Sequence, residues 1–231
     1  LLTVDPDTKL PGGGKVVKDQ DIVRFAPQHL GSRTAGTFAW YLRRNELGFG
    51  QRGQGLEALT FTPGGALVIS PRNRLVLPGA AGEDEDLLAW NPVRRTWSRY
   101  LDGSQLGLGD RPHEAIKAAS IDSAGTLYFA TAGAFSAGAV QGDGRQVWAC
   151  KSHTAGAAQP CDLSLFWEGT ALGPRGLDIA SLAIVSAPPA LFSNVLSAGE
   201  IEEVGDADEA YDSDFADGGQ GVQLFLPALS H

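Results

Sequence analysis

The sequence predicts an all-β fold made of tandem, four-stranded units of roughly 60 residues. Three observations lead there. The 231 residues include 30 Gly and 13 Pro, which punctuate the chain too often for long helices. Short runs alternate apolar and polar residues with period two, as in Ile22 and Arg24 against Val23 and Phe25, or Trp97 and Arg99 against Ser98 and Tyr100. An acidic stretch ahead of an apolar run, GEDEDLLAWNP at 82–92, returns as KDQDIVRFAP at 18–27, as GDGRQVWAC at 142–150 and as GDADEAYDSDF at 205–215. Such fixed-period self-similarity identifies a repeat architecture.

Taken in order, the units are 1–55, 56–112, 113–176 and 177–231. The first aligns LLTVDPDTKLPGG with LVISPRNRLVLPG, followed by DIVRFAP and TFAWYLRRNELGFG, and so lacks only an opening strand. The second reads EALTFTPGG, ALVISPRNRLVLPG, EDEDLLAWNP and RTWSRYLDGSQLGLG. EAIKAASIDSAG, TLYFATAGAFSAGAV, GDGRQVWACKS and CDLSLFWEGTALG make the third, and DIASLAIVSAPPA through VQLFLPALSH the fourth. Turn residues separate the strands at PGG 63–65, DGS 102–104, SAG 123–125 and APP 187–189. Glu114 to Leu127 and Asp178 to Leu191 align without a gap, and no segment carries a helical period with caps.

Tandem four-stranded units bury both faces only by stacking on their neighbours, which describes the blades of a single β-propeller domain. The units resemble repeats of secreted bacterial propeller-like proteins, through the acidic turn before an aromatic strand in DEDLLAW and the strand end YLDGSQLGLG. That resemblance implies a binding or scaffold role as a family tendency, since one fold hosts many functions.

Charge narrows the function classes. The net charge of −9 resides in one segment, Glu200 to Asp217, whose nine acids leave 18 others to balance the 18 Lys and Arg. Without a basic face, nucleic-acid binding has no electrostatic source. No apolar run is long enough for a membrane-spanning helix. The chain contains no Met and opens on Leu1, which reads as a processed product or a fragment, a removed secretion signal being the simplest cause. The only two cysteines, Cys150 and Cys161, are too few for a zinc site. Their hairpin-like spacing favours a local disulfide over free thiols, and hence an extracellular address.

Candidate sites fall into three groups. Glu57, Glu114 and Asp178 precede the first strand of their units, where propeller symmetry would aim three carboxylates at one axial point, a donor set suited to Ca²⁺. Alternatively they cap strand ends or pair with Arg52, Arg111 and Arg175. Asp19, Asp21, Asp84, Asp86, Asp143, Asp206 and Asp208 precede third strands, where carboxylates fix turns by accepting backbone N–H groups, with cation binding the minor reading. Asp206, Asp208, Asp212, Asp214 and Asp217 form a weak calcium-loop candidate that departs from the EF-hand spacing. Trp40, Trp97, Trp148 and Trp167 recur on third and fourth strands, and core packing explains them better than a carbohydrate platform.

The expected function is a secreted, non-enzymatic structural or interaction module. The strand count, fifteen where four blades need sixteen, adds an expectation of self-association into oligomers or filaments through a terminal strand, with calcium as stabiliser. The alternative is a metal-dependent hydrolase or lactonase-like propeller using Glu57, Glu114, Asp178 and His113 in its axial channel.

Overall fold

The computed structural model describes residues 1–3, 7–10, 16–29, 34–50, 55–109, 113–151, 161–169, 179–186 and 222–224. They fold as antiparallel β-structure. In the first unit β1 (Thr8–Lys9) pairs with β2 (Val16–Val17), and β3 (Ile22–His29) with β4 (Ala35–Leu42), before one helical turn, α1 (Arg44–Leu47). The second unit contains β5 (Leu56–Phe61), β6 (Leu67–Pro71), β7 (Leu75–Leu77), β8 (Ala80–Gly82), β9 (Leu87–Asn91), β10 (Thr96–Leu101) and α2 (Gly103–Leu106). The third has β11 (Ile116–Ile121), β12 (Leu127–Thr131), β13 (Phe135–Ala137), β14 (Val140–Gly142), β15 (Gln146–Lys151) and β16 (Asp162–Glu168). A last pair joins β17 (Ile184–Ser186) to β18 (Val222–Leu224).

Two complete sheets result, each of four strands in the orders β5-β6-β9-β10 and β11-β12-β15-β16. They are copies in register: Leu56 and Ile116, Leu67 and Leu127, Leu75 and Phe135, and Leu87 and Val147 each differ by 60 in number. The single bridge Leu2–Val23 stands where Ile69 pairs with Leu88 and Phe129 with Trp148, so Leu2 is a remnant of the first unit's second strand.

Two features depart from the sequence expectation. The run ALVISPRNRLVLPG is not one strand: β6 ends at Pro71, as β12 ends at its register equivalent Thr131, and Leu75–Leu77 pairs separately with Ala80–Gly82. Gly79 closes that hairpin with φ +93, and a Cβ there would lie 2.7 Å from the Trp97 carbonyl oxygen. The strand ends RRNELGFG and LDGSQLGLG each carry a four-residue helix, too short to show a period. Gly48 and Gly107 end these turns at φ +84 and +88, and the N–H groups of Phe49 and Leu108 donate back to Arg44 and Gly103 at 2.8 and 2.9 Å. The turn thereby drives Leu47, Phe49 and Leu108 into the core.

That core lies between units. Ile22, Leu47 and Phe49 of the first pack on Leu67, Ile69, Leu88, Trp90 and Trp97 of the second. The second unit's opposite face, Ala58, Val68, Leu87 and Leu101, meets Leu127, Phe129, Phe135, Trp148 and Cys150 of the third. The third's far face, Ala118, Ala130 and Val147, takes Ile179 and Leu182. Hydrogen bonds repeat across these junctions. The N–H of Ile116 donates to Asp84 O at 3.0 Å and that of Ile179 to Gly144 O at 3.0 Å. Ile121 N–H reaches Thr60 Oγ1 at 3.2 Å, and Ile184 N–H reaches Ser120 Oγ at 3.0 Å.

The acidic stretches fix the turns into the third strands. Asp86, 2% exposed, accepts the N–H of Glu83 on Oδ2 at 3.0 Å and that of Gly103 on Oδ1 at 2.9 Å. Asp21 repeats this with the N–H groups of Lys18 and Arg44, both at 2.9 Å. In the third unit the acceptor is Gln146, whose Oε1 takes the Asp143 N–H at 2.9 Å. One side chain per unit thus ties the turn before the third strand, and in the first two units also the start of the helical turn after the fourth. Asp86→Ala leaves two backbone N–H groups without their acceptor, and it is expected to lower the unfolding free energy by about 2–3 kcal/mol. Asp86→Asn, which keeps one acceptor oxygen, should lose less when both are compared by chemical denaturation.

Candidate functional site

The inner strands β5 and β11 line a recess of about 260 Å³ together with Leu1–Thr3 and Ala180–Leu182. Glu57 sits on its wall and is neutralised on both oxygens: Arg72 Nε donates to Oε1 at 2.8 Å and Lys117 Nζ to Oε2 at 2.7 Å. The register shows Glu57 equivalent to Lys117, not to Glu114, because Leu56 and Ile116 open their strands at the same level. Glu114 lies three residues earlier than Lys117, is 1% exposed, and accepts the Ser136 N–H at 3.3 Å. Ala180, one residue after Ile179, takes the corresponding place in the last unit, and Asp178 itself lies outside the described residues. The expected equivalence of Glu57, Glu114 and Asp178 is therefore corrected: matching the letters Glu-Ala across the two units shifted the alignment by three residues.

Among the described residues no group of three or more His, Cys, Asp or Glu side chains is arranged to hold a metal ion. The arginine partners expected for Glu57, Glu114 and Asp178, respectively Arg52, Arg111 and Arg175, lie outside the described residues, and Glu57 is paired with Arg72 and Lys117. His113 is exposed and packs beside Gly133, away from the recess. Asp206, Asp208, Asp212, Asp214 and Asp217 fall outside the described residues.

Cys150 and Cys161 form the expected disulfide, with a Cα–Cα distance of 5.2 Å, between the third and fourth strands of the third unit. The other units brace the same height differently. Three residues beyond the first strand position after the clamp, Phe25 pairs with Phe38, their centroids 4.9 Å apart, and Trp90 with Trp97, theirs 5.1 Å apart. Trp97 and Trp148 are buried, as core packing requires. Trp97 Nε1 donates to Leu47 O at 2.8 Å, and Trp167 packs on the last cluster. Trp40 departs from this pattern: it belongs to none of the three clusters and lines a surface recess with Arg43 and Arg44.

No helix among the described residues is long and apolar enough to cross a membrane. No protein-family model matches the chain, and no curated protein matches it.

Electrostatically the second unit's clamp turn is the most perturbed. Glu85, 7% exposed, is wedged against Gly103 and Gly109, where a Cβ would collide with it at 2.6 Å in each case. Burial, reinforced by neighbouring Asp84 and Asp86, raises its pKa to about 7. Burial raises that of Asp86 as well, against the opposing hydrogen bonds and Arg99. Between the ordinary glutamate pKa and about 7 the native state holds a proton that the unfolded chain has released. Glu85 therefore stabilises the fold most at low pH and least above neutrality. The buried register-equivalent residue in the first unit is Gln20, so Glu85→Gln suits the site. The melting temperature of the wild type is expected to fall as pH rises from 5 to 8, and the Glu85→Gln variant to flatten that slope, as checked by calorimetry across the series.

Proposed function

We propose that the protein is a secreted, non-enzymatic structural or interaction module of the β-propeller type, which self-associates by exchanging a terminal strand. The repeated junction carries the reading: successive units bury their faces on one another, and the two later junctions share the same pair of hydrogen bonds. Such an array is defined by stacking rather than by one catalytic constellation. The disulfide suits an oxidising compartment. Exchange is supported by β17 and β18, which pair antiparallel with Ile184 opposite Leu224, although they are far apart in sequence. A strand joined to its partner through a long, acidic, Gly-containing connection pairs equally well with another copy, and exchange of identical elements is a low-cost route to assemblies. The concentrated carboxylates of residues 200–217 repel across repeated contacts, so assembly weakens at low ionic strength.

Sedimentation equilibrium over a concentration series tests this. The intact chain is expected to exceed the monomer mass and to do so more strongly in added salt, whereas a chain lacking residues 222–231 stays monomeric. A monomer at all concentrations makes β18 an internal element and removes the assembly reading.

A further inference from the structure

On the fourth strand the three units carry different residues at one equivalent position, and the first two can be compared on into the helical turn. Opposite the residue two beyond the clamp stand Trp40, Arg99 and Leu165, paired with Val23, Leu88 and Trp148. Immediately before the helical turn stand Arg43 and Asp102. In the second unit these two positions close on each other: Arg99 Nη1 donates to Asp102 Oδ2, and Ser104 Oγ to Asp102 Oδ1 at 2.6 Å. In the first unit the acid is replaced by Arg43 and the cation by an indole. Two adjacent arginines at the start of a helical turn are electrostatically unfavourable there.

A recess of about 480 Å³ at this place in the first unit is lined by Val16, Asp21, Trp40, Arg43, Arg44 and Asn45. The guanidinium of Arg43 lies over the Trp40 ring, 5.0 Å from its centroid, which restricts the side chain. Arg44 adds a second guanidinium. The Asp21 carboxylate at the floor already accepts the N–H groups of Lys18 and Arg44. Glu46, next on the helical turn, accepts the Arg43 N–H at 2.7 Å. Asp7 is paired with Lys18. The wall therefore offers two cations, an amide at Asn45 and an apolar edge at Val16, which is 49% exposed.

We propose that this recess binds an acidic saccharide. A uronic-acid ring places its carboxylate on the Arg43 and Arg44 guanidinium groups, its hydroxyls on Asn45 and its apolar face against Trp40 and Val16. This site is separate from the strand exchange proposed above, and the two stand or fall on different measurements.

The test titrates the full chain with a galacturonic acid trimer and with its methyl ester, following heat and the indole N–H resonance of Trp40. The acid is expected to bind in a salt-sensitive manner and the ester at least about tenfold more weakly. The double substitution Trp40→Arg with Arg43→Asp installs the second unit's ion pair, so it should keep the melting temperature while weakening acid binding by at least about tenfold. Three outcomes overturn the proposal: no binding of the acid at millimolar concentration, equal binding of acid and ester, or unchanged binding by the folded double variant. If that variant fails to fold, Arg43→Gln alone must weaken acid binding, and equal affinity overturns the proposal.

Discussion

One acceptor side chain in each of the first three units organises the chain, buried as Asp21 or Asp86 and half-buried as Gln146. Asp21, Asp86 and Gln146 each sit at the entrance of a third strand and hold the N–H three residues before them. Asp21 and Asp86 also reach across to the helical turn that follows the fourth strand. The third and fourth strands are thereby closed at one end, which sets where Leu47, Phe49 and Leu108 enter the core. Those plugs fill the first two junctions, whereas the third is closed by Ile179 and Leu182. Burial of the carboxylate is tolerable because its oxygens are matched by donors, the condition under which a buried charge is retained.

Much of this was legible in the sequence, and the misses have physical causes. The recurrence of an acid before an apolar run exposed the repeat, since turn geometry demands an acceptor there regardless of unit. Alternation exposed the strands, and the spacing of Cys150 and Cys161 exposed the bridge. The turn role expected of the acidic set holds for Asp21 and Asp86, and for Asp143, which accepts the Arg145 N–H at 2.9 Å. Asp84 contributes through its backbone carbonyl, which no side-chain pattern could reveal. The register of Glu57 was misjudged because charged residues were matched where the apolar pair Leu56 and Ile116 carries the alignment. Trp40 reads as a core tryptophan because it falls, like the others, on a third or fourth strand, although its register equivalents are Arg99 and Leu165. Its neighbours Arg43 and Arg44, where the second unit has Asp102 and Gly103, were the available signal.

Comparison of the units also separates what the fold demands from what it merely accepts. At the level where the third and fourth strands are braced, the chain uses Phe25 with Phe38, Trp90 with Trp97, and a disulfide between Cys150 and Cys161. An aromatic pair and a covalent link meet the same need because both restrain the same hairpin. The clamp is less permissive: a charged acceptor gives way only to an amide, which still presents an oxygen to the same N–H.

The junctions are built differently from the sheets. Inside a unit the strands are joined by ladders of backbone hydrogen bonds, whereas the junctions are crossed by scattered ones: Trp97 Nε1 to Leu47 O at the first, Ile116 and Ile121 with the Lys117–Glu57 ion pair at the second, and Ile179 and Ile184 at the third. The rest of each junction is apolar contact, which lacks direction. The array is therefore mechanically anisotropic. Tension applied along the stacking direction parts one junction at a time, while tension along the strands must shear whole ladders together. A chain of this kind yields stepwise under load, with each unit keeping its own sheet as its neighbours separate.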